Sequence, residues 1–248
     1  MKTKKLFYAI LTSALLMSSL SSFCQYFSAG ARVGVDFGSL SNFSKVKSDA
    51  EDGGDKVARN AHMGFQGGFF GSYNFNKILG VQAEIIFDRK GEKLTYTGTD
   101  HGDIYTGTMI TSVTYMTIPI LFKGGYDFGR FQVYGIFGPY IGIGLAGKLK
   151  YTENGTSIER SMKFTKYNDA TAADDDSPME HANRLDAGLT IGVQPGFKLG
   201  PGILILDLRY NFGLIDVQNY TPHADNYYAR DTRSFGLSLG YVIPFGKK

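Results

Sequence analysis

Along most of this chain apolar and polar residues alternate with a period of two, in segments of about ten residues or more, the repeat of a β-strand with two unlike faces. Near the N-terminus Phe27, Ala29, Val33, Val35 and Phe37 oppose Ser28, Arg32 and Asp36. Met63, Phe65, Phe69, Tyr73 and Phe75 then oppose Gln66, Ser72 and Asn74, with Phe70 breaking the polar face. Leu79, Val81, Ala83, Ile85 and Phe87 oppose Gln82, Glu84 and Asp88, and Met116, Ile118, Ile120 and Phe122 oppose Thr117, Pro119 and Lys123. Segment 131–145 is less regular: Phe131, Val133, Phe137, Ile141 and Ile143 face Gln132, Tyr134 and several glycines. In 184–197 Leu185, Ala187, Leu189, Ile191, Val193 and Phe197 oppose Arg184, Asp186, Thr190 and Gln194. In 203–213 Leu204, Leu206, Leu208, Tyr210 and Phe212 oppose Asp207, Arg209, Asn211 and Gly213. Phe235, Leu237, Leu239, Tyr241, Ile243 and Phe245 close the series against mostly small residues. The pattern predicts eight strands.

The predicted connections alternate strictly between long (38–61, 90–111, 147–183, 214–231) and short (76–78, 124–130, 199–202). This places every long loop at one end of an up-and-down sheet, the asymmetry of outer-membrane barrels with long extracellular loops and short periplasmic turns. The expected fold is therefore all-β: an eight-stranded antiparallel up-and-down transmembrane β-barrel with both termini on the periplasmic side. After residue 25 no apolar run is long enough for a membrane-spanning helix.

The first residues carry a different signal. Lys2, Lys4 and Lys5 precede the apolar run Leu6 to Met17, and a serine-rich stretch leads to Phe23-Cys24-Gln25. This is the layout of a secretory signal. Residues 1–24 are read as a signal peptide and 25–248 as the barrel domain. Cys24 is the sole cysteine; bulky Phe23 before it argues against a lipid-bearing cysteine. Removing 1–24 takes away three lysines and no acid, so the formal charge falls from +3 to 0. The basicity thus belongs to the leader, and no basic, aromatic-interleaved patch suggests nucleic acid.

Alternation alone would also suit a soluble carrier with an apolar cavity. Two features favour lipid outside. Large aromatics (Phe27, Phe37, Phe75, Phe87, Phe131, Phe197, Tyr210, Phe245) cluster near strand ends of the apolar faces, as in interfacial girdles. The opposite faces are rich in Gly, Ser, Thr and Gln and poor in Lys and Glu, unlike a water-washed surface. An eight-stranded interior is just wide enough to be filled by side chains, which argues against a general diffusion pore.

Candidate chemistry is sparse. Arg32, Glu84, Asp207 and Arg209 fall on inward positions at similar mid-strand heights and are expected to form a salt-bridged lumen cluster. A charge-balanced plug that sets strand register is the favoured role, with an ion path or binding site as the rival. His62, His101, His181 and His223 lie in or beside predicted outer loops, without the close spacing of a zinc site. They are expected to be ordinary exposed loop side chains. Asp174, Asp175 and Asp176, with Asp169 and Glu180, lack the glycine-bearing pattern of a calcium loop and are expected to form a solvated acidic loop. No His/Ser arrangement on an apolar strand face suggests a lipid-modifying enzyme, so no catalytic residue, cofactor or metal is expected.

Three runs add a resemblance: Met116-Thr-Ile-Pro-Ile-Leu-Phe-Lys123, Gly135-Ile-Phe-Gly-Pro-Tyr-Ile-Gly142 and Leu206-Asp-Leu-Arg-Tyr-Asn-Phe-Gly-Leu214. With Ala29 to Val35 and Phe235 to Tyr241, they resemble the outer-membrane β-barrel family labelled porin family or PorT-like, abundant in Bacteroidota. The resemblance implies an eight-stranded outer-membrane barrel and supplies no catalytic residues. One namesake works in type IX protein secretion. The ending Gly246-Lys-Lys248 departs from a terminal aromatic, leaving Phe245 as the assembly signal. The leading expectation is a non-enzymatic barrel in contact with outer-membrane lipid, presenting extracellular loops to an envelope or extracellular protein partner. The alternatives are a narrow channel or secretion-associated subunit, and a soluble periplasmic lipocalin-like carrier.

Overall fold

The computed structural model describes residues 26–100, 103–153, 155–166, 180–219 and 229–245. The expectations for the leader with Cys24, for His101, His223, Asp169 and Asp174 to Asp176, and for the last three residues lie outside that range. The elements are β1 (Tyr26–Leu40), α1 (Phe43–Asp52), β2 (Lys56–Asn60), β3 (His62–Asn74), β4 (Leu79–Asp100), β5 (Asp103–Phe128), β6 (Phe131–Glu153), β7 (Thr156–Ser161), β8 (Leu185–Leu199), β9 (Gly202–Asp216) and β10 (Asp231–Phe245).

All ten strands belong to one antiparallel sheet. Eight of them pair in a closed circuit: β1 with β3, then β4, β5, β6, β8, β9, β10 and back to β1. The circuit has no free edge, so the ring backbone satisfies its own hydrogen bonds, the condition for a sheet surrounded by hydrocarbon. The remaining two strands attach outside the circuit, β2 to β4 and β7 to β6.

The turns at one end are tight. Two use glycine in the left-handed region, Gly129 at φ 84° and Gly200 at φ 61°, where a β-carbon would be strained. At the other end the expected long loops are largely structured. The 90–111 segment is strand over 90–100 and 103–111, and 147–183 contains the end of β6 and all of β7. The 38–61 segment holds α1 and β2. Register explains this. Lower β4 pairs with β3 through Asp88, whereas Lys93 to Thr97 pair with β2. Lower β6 pairs with β8, whereas Lys148 to Glu153 pair with β7. A five-stranded sheet, β2–β4–β5–β6–β7, therefore projects from one rim of the ring. From Lys93, where pairing with β2 begins, β4 runs eight residues to Asp100, about 26 Å at ~3.3 Å per residue.

The two faces are unlike in the sense that suits a membrane. Val33 is 67% exposed, Phe65 72% and Ile191 60%, whereas Arg32, Glu84, Asp207 and Arg209 are at most 5% exposed. Leu204, Leu206 and Tyr210 also point outward. The soluble-carrier alternative required these residues around an internal cavity, and the structure turns them the other way. Phe70, the residue that breaks the polar face of β3, instead packs inside against Ile205 and Val242 as a small apolar floor.

If the outward face meets hydrocarbon, Leu206→Arg should destabilise the folded protein in lipid vesicles by about 2–4 kcal/mol. Urea unfolding monitored by heat-modifiable gel mobility measures this, and an unchanged midpoint would contradict the sidedness.

Candidate functional site

The interior is stacked in layers of paired charge. In the first, Arg32 from β1, Glu84 from β4 and Asp207 with Arg209 from β9 meet. Arg32 donates to Glu84 at 3.1 Å and to Asp207 at 3.2 Å. Arg209 donates to both carboxylates through paired contacts, at 2.9 and 3.1 Å to Glu84 and at 2.6 Å twice to Asp207. Gln82 donates to Glu84 at 2.6 Å, Gln194 to Asp207 at 2.5 Å, and Arg32 to Ser238 at 2.9 Å. Two cations thus face two anions, every carboxylate oxygen accepts from an arginine, and Gln82 and Gln194 each add a further donor. Such satisfaction is what makes burial of charge tolerable.

Glycine makes room for the two arginines. A β-carbon on Gly236 would lie 2.6 Å from Gln66 and 3.1 Å from the Arg209 side chain. One on Gly240 would crowd the stem of Arg32 at 3.1 Å.

A second layer lies nearer the projecting sheet, and the sequence reading missed its centre. Lys90 contacts Asp186 at 3.0 Å and Asp88 at 3.5 Å, with its ammonium 4.5 Å from the ring centre of Tyr140 and 5.4 Å from that of Tyr115. Thr117 donates to Asp88 at 3.0 Å, and Tyr140 and Thr232 donate to Asp186 at 3.2–3.4 Å. Asp36 is buried beside this layer, and Lys90 is the charge that acts on it most strongly. Neither Asp36 oxygen has a hydrogen-bond partner within 3.5 Å. Above it Glu92 pairs with Arg230 and accepts from the Leu40 amide at 3.3 Å. Lys90, Glu92 and Arg230 all fell in segments expected to be loops. The signal that could have found them is the continuing alternation Asp88, Lys90, Glu92, Leu94 on one face of β4.

Val113, Tyr115, Met162 and Ala182, with Leu149 and Phe164, cover the interior on that side. Here a histidine expectation fails. His181 is buried, with Nδ1 2.9 Å from the Thr165 carbonyl oxygen, because it bridges to Lys163 and its neighbour Ala182 sits in that apolar cluster. His62 is half-buried at the start of β3. Glu180, assigned to an acidic loop, is instead buried and paired with Arg160 at 3.1 Å. Beyond, on the projecting sheet, Tyr96, Tyr105, Met109, Tyr151 and Ile158 line an open groove of about 440 Å³ together with the charged Asp55, Arg160 and Glu180. The hydrogen bond from Tyr105 to Asp55, 2.7 Å long, pushes that phenol up to about 12.

Removing one member of the first layer leaves the others buried and unmatched. Glu84→Ala should cost about 3–5 kcal/mol, and Glu84→Gln less. Combining Glu84→Leu with Arg209→Met should cost less than the sum of the single changes. Thermal and urea unfolding in detergent checks this, and an unchanged melting point for Glu84→Ala would remove the cluster from any structural role.

Comparison with solved structures finds neighbours that are covered almost entirely, at low identity. Neisserial surface protein A is 14% identical, with 88% of this chain and 97% of that one covered and a TM-score of 0.40. OprG of Pseudomonas aeruginosa is 12% identical over 91% and 97%, TM-score 0.37. Ail of Yersinia pestis, in complex with the heparin analogue sucrose octasulfate, is 15% identical over 88% and 99%, TM-score 0.34. No curated protein matches the chain significantly. A family model described as an outer membrane protein beta-barrel domain matches residues 17–219, most of the chain. The closed antiparallel ring, its apolar exterior and this match agree: the chain belongs to the outer-membrane protein β-barrel domain family, and its place is the outer membrane.

Proposed function

We propose that the protein is a non-enzymatic, eight-stranded transmembrane barrel whose lumen is a structural plug and whose working surface is the sheet projecting from one rim. The observation that carries this reading is the contrast between interior and rim. Inside, Tyr115, Tyr140, Lys90, Ile86, Leu121 and the ion-paired Arg32–Glu84–Asp207–Arg209 cluster fill the cross-section with buried side chains. At the rim, five strands offer exposed polar and aromatic side chains well away from the apolar wall.

On this reading the short turns face the periplasm and the projecting sheet faces outward from the cell, with an envelope or extracellular protein as partner. The lysine-led apolar N-terminus supports export through a cleaved signal peptide. The three sequence runs that resemble the PorT-like group of Bacteroidota support a place in that group. A secretion-associated role stays the narrower alternative. The second lumen layer favours a further reading, a narrow cation path. Asp36, Asp88 and Asp186 there outnumber Lys90 three to one.

Planar-bilayer recording of the purified protein separates plug from path. No unit conductance is expected, and discrete cation-selective openings would replace the plug with the channel. Orientation is tested on intact cells. A membrane-impermeant maleimide should label Thr97→Cys and leave Asn76→Cys unlabelled, and the opposite result would invert the barrel.

A further inference from the structure

On the outward wall of the ring the apolar face of β4, β5 and β6 ends abruptly. Phe87 on β4, Met116 on β5 and Ile143 on β6 share one level of the pairing, and Leu145 lies just beyond. Beyond it the outward positions are Arg89, Gly91 and Lys93 on β4 and Ala146, Lys148 and Lys150 on β6. Pairing brings them together. Lys93 and Lys150 both pair with Ile110, one strand to either side, and so sit about 10 Å apart across the sheet. Lys148 pairs with Ser112, and Arg89 donates to that same serine at 2.8 Å. The guanidinium is thereby anchored beside Lys148.

Among the described residues Glu159 of β7 is the acid that meets this patch: it is ion-paired with Lys148 and lies directly across from Lys150 in the pairing of β6 with β7. Among the described residues Arg89, Lys93 and Lys150 form no ion pair. Four cations therefore face outward against one carboxylate, spread over the first three outward positions beyond the end of the apolar wall.

Directly below Arg89 the wall is dented. An open groove of about 400 Å³ is lined by the outward-facing Phe65, Gly67, Phe87, Arg89 and Thr114, with the inward-facing residues Gln66 and Asp88 beside them. The dent exists because Gly67 carries no side chain. A β-carbon there would meet nothing closer than 3.5 Å, so the backbone does not demand glycine. An apolar slot between two phenyl rings, leading to a cluster of cations at the interface, has the chemistry of an acyl chain joined to a phosphate.

We propose that this wall binds a phosphorylated lipid of the outer leaflet, with the phosphate on Arg89, Lys93 and Lys150 and one acyl chain between Phe65 and Phe87. The assignment rests on the orientation proposed above, in which the projecting sheet lies outside the cell. It would seat a headgroup against the base of the projecting sheet and so couple that sheet to the bilayer surface.

The chain contains no tryptophan, so Phe87→Trp supplies a single reporter inside the groove while keeping it aromatic. In phosphatidylcholine vesicles, brominated phosphatidic acid should quench this tryptophan far better than brominated phosphatidylcholine at equal mole fraction. Each cation at an anionic surface is worth roughly fivefold, so replacing Arg89, Lys93 and Lys150 together by Gln should abolish the preference. Gly67→Leu, which fills the slot, should weaken quenching by both lipids without altering heat-modifiable mobility. Equal quenching by the two lipids in the reporter protein, or a preference that survives the triple substitution, would overturn the site. Loss of the preference to millimolar inorganic phosphate would show a free-anion site and overturn the lipid assignment. Failure of the reporter protein to enter vesicles would instead overturn the transmembrane reading.

Discussion

Hydrocarbon offers no partner to a peptide N–H or C=O, and an unpaired group there costs several kcal/mol. For a chain whose strands are greasy on one side, this leaves closure of the sheet as the stable arrangement, and pairing of β1 with β10 completes it. Closure then determines the rest. Eight strands enclose a space about as wide as two facing side chains. Whatever points inward is desolvated whether or not it is polar. Polar inward residues must therefore find each other, and they do so in layers: Arg32 and Arg209 with Glu84 and Asp207, then Lys90 with Asp88 and Asp186, then Arg230 with Glu92. Every layer joins strands distant in sequence, so the charges help set which strand lies next to which.

The same logic accounts for the glycines along the inner faces. Arginine is long and cannot lie flat in a narrow tube unless its cross-strand neighbours are small. Arg32 pairs with Gly68 on one side and Gly240 on the other, and Arg209 with Gly192 and Gly236. Volume is balanced across the lumen, large against absent, in place of the uniform packing of a soluble core.

Much of the ring was legible in the sequence because membrane strands advertise themselves: lipid imposes an apolar residue at every second position, and the contrast with Arg32, Glu84 or Asp207 on the other face is strong. The four mid-strand charges stood out for that reason. The projecting sheet was not legible. Once β4 and β5 leave the bilayer, the outward face turns to Arg89, Lys93, Thr95 and Thr97, so both faces are polar and the alternation loses contrast without losing its geometry. Lys90 and Glu92 were lost with it, and so was the second layer. His181 and Glu180 were misread because a segment with no periodicity folds inward through contacts of Ala182 and Thr165 that no local pattern announces.

The account stands on which face of the wall meets lipid. Spin labels placed singly at positions 204 to 208 of β9, in vesicles, report this directly through collision with oxygen and with a water-soluble nickel chelate. Labels at 204, 206 and 208 should collide with oxygen and be shielded from nickel, whereas those at 205 and 207 should be shielded from both. Nickel access at 204, 206 and 208, or a profile without a period of two, would contradict it.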